Sequence, residues 1–206
     1  MIDLSLANLA VVIISILVSL TVHEAMHAYV AHVLGDTTAK DEGRLTLNPL
    51  QHVDLLMTIG LPVVMIMLGL PPLLIARPVP FDPRSVRYGE YGAALVALAG
   101  PFTNLGLAVI GSAAMRLIGL DSDLAAMLDI FVQINITFFV FNMIPFPPLD
   151  GSRLLYAVAP EPVQRVMYAI ESAGFLMIIF VFLLAAPFIL PIVGNIVQAI
   201  YVFLLG

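Results

Sequence analysis

Residues 4–34 read LSLANLAVVIISILVSLTVHEAMHAYVAHVL, an apolar run that carries His23, Glu24, His27 and His32 inside its register. As a helix rising 1.5 Å per residue, this stretch is about 46 Å long, more than a ~30 Å hydrocarbon core requires. It has no basic leading region and no small-residue cleavage site before its polar end, so it does not read as a secretory signal peptide. The rest of the chain agrees with a bilayer environment. Of 206 residues, 61% are hydrophobic and 11% charged, and the mean hydropathy is +1.07. Soluble domains run about 45–50% apolar and about 25% charged, and need polar surface that this chain lacks.

Working outward, the composition excludes several classes of function. A net charge of −6, with Lys40 alone among the lysines, offers no basic stripe for phosphates, so no nucleic acid is expected as a partner. There are no cysteines, hence no disulfides and no thiolate ligand; any metal must be held by His, Asp or Glu. Further apolar stretches predict spans at about 91–120 and 124–143, joined by an acidic turn at Asp121 and Asp123, and at 163–186 and 188–205, separated by Pro187 and Pro191. Residues 55–76 are apolar but interrupted by Gly60, Pro62, Gly69, Pro71 and Pro72, which predicts a kinked or re-entrant segment. The expected fold is therefore an all-α polytopic membrane protein of about five to six transmembrane helices.

Basic residues orient it. If 55–76 dips in and returns, Lys40, Arg44, Arg77, Arg84, Arg87, Arg153 and Arg165 share one side and only Arg116 lies opposite, the asymmetry of the positive-inside rule. A full crossing at 55–76 would move the three arginines of the 77–87 loop across and abolish most of that bias.

The chemistry concentrates in His23-Glu24-Ala25-Met26-His27. On a helix, positions i and i+4 lie about 40° apart, so both imidazoles project from one face toward one point, as zinc ligation needs. Glu24, one residue on, is placed to take a proton from a water at such a metal. Four His and five Glu in 206 residues give only roughly 0.002 chance occurrences of this pattern. Ionisable groups inside a span are moreover costly, about 2.5–3.5 kcal/mol for Asp, Lys or Arg, and are usually functional. A hydrolytic zinc site takes three protein ligands, so a buried carboxylate is missing. Asp150 is the best candidate. It follows Asn142-Met143-Ile144-Pro145-Phe146-Pro147-Pro148-Leu149, where three prolines break the helix, and irregular backbone at membrane depth is tolerated only where it is buried or lines a cavity. The plainer alternative is that Asp150 caps a helix starting near Ser152.

These residues resemble the site-2 protease family, the intramembrane zinc metalloproteases of peptidase family M50. His23–His27 is similar to its HExxH motif, and Asn142, Pro145, Leu149, Asp150 and Gly151 match NxxPxxxLDG position for position. The resemblance implies one Zn²⁺ held by His23, His27 and Asp150, Glu24 as general base and Asn142 as a polar group able to stabilise an oxyanion. It also implies a single domain over 1–206 without PDZ-like or CBS-like regions, and the lipid bilayer and transmembrane protein substrates as partners. The compact size and absence of eukaryotic sorting signals fit a prokaryotic cytoplasmic membrane. Other stretches carry no catalytic role. Arg44-Leu45-Thr46-Leu47-Asn48 alternates polar and apolar residues, which suits a short β element near 43–49 or a surface loop equally. Gly100-Pro101 with Asn104 suits close helix packing and an interhelical hydrogen bond. His32 faces away from His23, and His52 reads as a loop or interface histidine. A non-proteolytic zinc-binding membrane protein, such as a metal carrier, would use the same ligands but has little need of Glu24; a zinc hydrolase acting on lipid or another amide would share all four residues.

Overall fold

The computed structural model describes residues 6–52, 79–120 and 122–206. Helix α1 (Leu6–Val33) ends at a left-handed glycine: Gly35 has φ +109°, its N–H reaches the His32 carbonyl at 3.1 Å, and the Asp36 N–H reaches Ala31 O at 3.0 Å. These bonds satisfy carbonyls that the helix end would otherwise orphan, and glycine accepts the positive φ without a Cβ clash. A short helix α2 (Thr38–Asp41) and a 3₁₀ turn (Pro49–Gln51) follow. Helix α3 (Glu90–Ile118) and helix α4 (Asp123–Asn142) form the expected antiparallel hairpin, with the Ser122 hydroxyl accepting from the Ala125 N–H at 3.1 Å as an N-cap. Beyond the proline-rich loop come α5 (Gly151–Val158), α6 (Glu161–Ser172) and α7 (Phe175–Leu205). All regular structure among the described residues is helical, and four helices are long and apolar enough to cross a membrane: Asn8–Val33, Glu90–Ile118, Asp123–Asn142 and Phe180–Leu205.

Two sequence expectations need correction. No strand forms near 43–49 among the described residues, because the backbone there is satisfied locally. The Arg44 N–H goes to Ala39 O at 2.7 Å, the Asn48 N–H to Thr46 Oγ1 at 3.1 Å, and Thr46 O receives the His52 Nε2–H at 2.8 Å, leaving little for a ladder. The two spans expected at 163–186 and 188–205 are instead the amphipathic α6 and one continuous α7 that runs through Pro187 and Pro191. In lipid, a break would strand several backbone groups at several kcal/mol each, whereas passing through a proline forfeits one helical bond, so the helix continues. Gln164, Arg165 and Glu171 make α6 too polar to be buried in lipid, and Gly174 (φ +91°) separates it from α7. The segment 55–76, expected to be re-entrant, lies outside the described residues.

Sidedness is nonetheless settled by what flanks it. The Arg87 N–H bonds to Leu34 O at 2.9 Å, so α3 begins on the side where α1 ends. The α4 C-terminus and Asp150 return to that side, while the Arg116 guanidinium bonds to Leu204 O at 2.6 Å at the opposite end. Lys40, Arg44, Arg84, Arg87, Arg153 and Arg165 therefore face Arg116 across the bundle, as the charge bias anticipates.

Lipid tails are as apolar as leucine, so helices associate here through close packing and hydrogen bonds more than through apolar burial. Helix α3 is built for this. Most of its buried face is small, with Gly92, Ala93, Ala94, Ala97, Gly100, Ala108, Gly111 and Ser112 beside Val96, Pro101, Asn104 and Met115, and it lies between α1 and α4. A core of Ala108, Met115, Ala125, Val132, Ile136, Val140 and Val193 joins α3, α4 and α7, while Leu9, Ile13, Ile14, Val109, Ile110, Leu184, Phe188 and Phe203 point outward toward lipid.

Candidate metal centre

Helix α1 presents His23 and His27 from consecutive turns to the middle of α3. The His27 Nδ1–H donates to Val96 O at 2.7 Å, and His23 Nδ1 lies 2.6 Å from Asn104 Oδ1. Which atom of that amide faces the histidine follows from its other bonds. Asn104 Nδ2 donates to Ser19 O at 3.2 Å and to Asn135 Oδ1 at 2.9 Å, and Asn135 Nδ2 in turn donates to Phe131 O at 2.9 Å. Backbone carbonyls accept only, so the chain of donors is fixed from Phe131 through Asn135 and Asn104 to His23. Both histidines consequently donate from Nδ1 and turn Nε2 inward, the atom that offers a lone pair to a metal when the ring is neutral.

Asp150 completes the arrangement. Its Oδ2 lies 3.2 Å from His23 Nε2 and 3.4 Å from His27 Nε2, and the two Nε2 atoms are 3.0 Å apart. The carboxylate does not cap α5: Asp150 occupies the N-cap position with no side-chain bond to the helix, and the buried Oδ2 has no hydrogen-bond donor. Three ligand atoms thus converge within 3.4 Å of one another, a cluster suited to sharing one cation at its centre. Tetrahedral zinc ligands at ~2.0–2.1 Å stand about 3.3–3.4 Å from one another, close to the spacings seen. The residues therefore fit a zinc ion. His23, His27 and Asp150 are also the one such group of His, Asp and Glu among the described residues.

Gly100 explains how α3 can lie so near. A Cβ there would stand 2.7 Å from both His23 Cε1 and His23 Nε2 and in contact with His27 Nε2. Gly151 does the same for the loop, since a Cβ would collide with the Met143 carbonyl and come within 2.7 Å of Ile144 O. Glu24 is also buried, and its Oε2 accepts the Val79 N–H at 3.1 Å. The histidine side chains are 6% and 10% exposed against 22% for Asp150, so the site opens past Asp150.

Over 184 residues the chain is 39% identical to YwhC of Bacillus subtilis (strain 168), which carries a zinc metalloprotease name; the match covers 85% of this chain and 80% of YwhC. The chain belongs to peptidase family M50. The family description, Peptidase family M50, matches residues 118–186, which include Asp150. Rip2 of Mycobacterium tuberculosis (strain ATCC 25618 / H37Rv), also under a zinc metalloprotease name, is 32% identical over 172 residues, 81% of this chain and 64% of Rip2. Rip2 of Mycolicibacterium smegmatis (strain ATCC 700084 / mc(2)155) is 31% identical over 172 residues, 79% of this chain and 62% of that protein. No solved structure matches the chain. Family and relatives together make this M50 chain a zinc metalloprotease with apolar helices of membrane-spanning length.

The structure brings together His23, His27 and Asp150. Asn142 lies at the C-terminal end of α4, where its Nδ2 donates to Phe138 O at 3.0 Å. Asn104 forms the interhelical bond expected of it, with the added consequence that it orients a ligand histidine. His52 is fully buried in the loop, away from the metal group. Sequence reasoning passed over Asn135 and Asp36. Asn135 did leave a signal, a fully buried amide within the apolar run of α4, where polar groups usually serve a purpose.

Proposed function

We propose that this protein is a zinc-dependent intramembrane endopeptidase of the site-2 protease type, hydrolysing peptide bonds in or next to transmembrane segments of proteins in a prokaryotic cytoplasmic membrane. The observation that carries this is the convergence of three metal-ligating atoms, His23 Nε2, His27 Nε2 and Asp150 Oδ2, beside the buried carboxylate of Glu24 in a bundle of spanning helices.

One zinc per chain, held by His23, His27 and Asp150, supplies Lewis-acid activation of water and of the scissile carbonyl. Glu24 is the general base: it takes the proton of the attacking water and returns it to the leaving nitrogen. The His23 and His27 rings are kept in place by α3, through Asn104 and Val96, so the ligand set is formed before substrate arrives. Asn142, at the end of α4, is the side-chain amide assigned to the oxyanion. A helical substrate hides its carbonyls in i→i−4 bonds, so the scissile stretch must unwind before it reaches Glu24. Spans weakened by Gly or Asn are accordingly the better substrates.

The test compares membrane peptides from cells carrying wild type and Glu24→Gln, with zinc measured on both purified proteins. Span-derived fragments released only by wild type, with zinc equal in the two, support the reading. Equal zinc and identical peptides would overturn proteolysis and leave metal carriage or a non-peptide substrate.

A further inference from the structure

Among the described residues, Glu24 is held by the backbone: its Oε2 accepts the N–H of Val79, from the irregular segment 79–82. What holds that segment is a second buried carboxylate. Asp36, just past the end of α1 and 1% exposed, spends its oxygens separately: Oδ1 accepts the Thr38 N–H at 3.0 Å and the Thr38 hydroxyl at 2.6 Å, while Oδ2 accepts the Asp82 N–H at 2.8 Å. Asp82 then closes its own turn, its Oδ1 taking the Arg84 N–H at 2.9 Å and its Oδ2 the Ser85 hydroxyl at 3.1 Å, and the Arg87 N–H returns to Leu34 O. Apolar contacts seat the same stretch: Val79 packs with Ala28 and Ala39, and Phe81 packs against Ala31, Val86 and Val96. Residues 79–87 are therefore clamped along about the last three turns of α1, with the general base at one end of the clamp and Asp36 at the other.

We infer that Asp36 is a positioning residue for catalysis: by fixing the Asp82 amide it sets the 79–82 strap, whose Val79 N–H holds one oxygen of Glu24 and leaves the other directed by it toward the attacking water. The inference rests on the reading of Glu24 as general base. A carboxylate with both oxygens free rotates about its last torsion, and a hydrogen bond from a buried amide removes that freedom. Correct alignment matters because a base must lie within about 2.6–3.2 Å of the proton it takes, and displacements of about 1 Å cost up to about a hundredfold in rate. The hydrogen bonds that Asp36 receives also keep its carboxyl ionised, against the effect of burial, so the acceptor facing Asp82 is retained.

The experiment uses the purified protein and, as substrate, a transmembrane span that wild type cleaves. Asp36→Asn leaves one acceptor oxygen for the two Thr38 donors and the Asp82 N–H; kept by Thr38, it leaves the new Nδ2 facing the Asp82 N–H and releases the strap. Val79→Pro removes the amide that touches Glu24. Thr38→Val is the structural control, since it cuts a bond to the other Asp36 oxygen and leaves the strap tied. Expected for Asp36→Asn and Val79→Pro is a fall in kcat of about tenfold or more with KM within about twofold and zinc content unchanged. Hydrogen exchange across 79–87 should accelerate in Asp36→Asn and stay near wild type in Thr38→Val, which should also retain kcat. Wild-type kcat in Asp36→Asn despite faster exchange at Asp82 would overturn the inference, as would an equal loss in Thr38→Val or a loss that simply tracks missing zinc. The underlying reading of Glu24 fails separately, if Glu24→Gln itself cleaves.

Discussion

Adding one methyl group at Gly100 should weaken zinc binding at the metal centre while leaving the bundle folded. The Cβ of Gly100→Ala would lie 2.7 Å from His23 Cε1 and Nε2 and press on His27 Nε2. Neither ring can simply retreat, because each is tied by Nδ1 to the same helix that carries the new methyl, His27 to Val96 O and His23 to Asn104 Oδ1. Relief means swinging a ring and abandoning a buried hydrogen bond, at about 1–3 kcal/mol for the group left unpaired. At 1.4 kcal/mol per tenfold, that corresponds to roughly 10–100-fold weaker zinc binding, the loss usual when a support of a ligand histidine is removed. The assay is competition between the purified protein in detergent and a chelator of known affinity, with helix content followed in parallel. Gly106→Ala is the matched control: it lies on the same helix, and its Cβ would meet nothing within 4 Å. Zinc affinity of Gly100→Ala equal to that of Gly106→Ala would refute the argument, since a methyl at 100 would then have room that the packing of α1 on α3 denies it.

Two other outcomes follow from the same geometry. Asn135→Leu leaves Asn104 Nδ2 with Ser19 O as its remaining acceptor and frees the amide that orients His23, so stability should fall by about 1–3 kcal/mol and zinc affinity by about tenfold, read by thermal unfolding with and without added zinc. The second concerns acid. The carboxyl of Asp36 sits below its usual 3.8: burial pushes it up, but the hydrogen bonds from Thr38 and the Asp82 N–H outweigh that. Because the folded value is the lower one, the stability it contributes is fully present above pH 3.8 and is lost as the pH falls toward the folded value. Asp36→Asn should therefore lose stability at neutral pH and show a flatter acid limb below about pH 4, measured by unfolding across pH.

Much of this protein is legible in its residues because the bilayer allows few alternatives. A backbone in lipid must bond to itself, so the runs at 4–34, 91–120 and 124–143 had to be helices, and they are found as Leu6–Val33, Glu90–Ile118 and Asp123–Asn142. The spacing of His23 and His27 placed two ligands on one face by helical geometry alone, and a chain without cysteine left a carboxylate as the third ligand. Where local pattern pointed in two directions, tertiary context chose. Alternation over 44–48 was outweighed by side chains of Thr46, Asn48 and His52 that satisfy the backbone locally. Pro187 and Pro191 resembled a turn, yet a turn in lipid strands more polar groups than a continuous helix does, and α7 runs on.

What no window of sequence contains is the meeting of distant groups. Asp150 alone could have been a helix cap; only the return of the α3–α4 hairpin puts its Oδ2 against two imidazoles 123 and 127 positions earlier. The tautomers of those histidines depend on Val96, Asn104 and Asn135, and the orientation of Glu24 on a backbone amide 55 residues away. Periodicity and residue chemistry are local and so determined the helices, the membrane and the candidate ligands. Directional bonds between separate helices are set by packing, and the tertiary structure alone decided which lone pairs face one another.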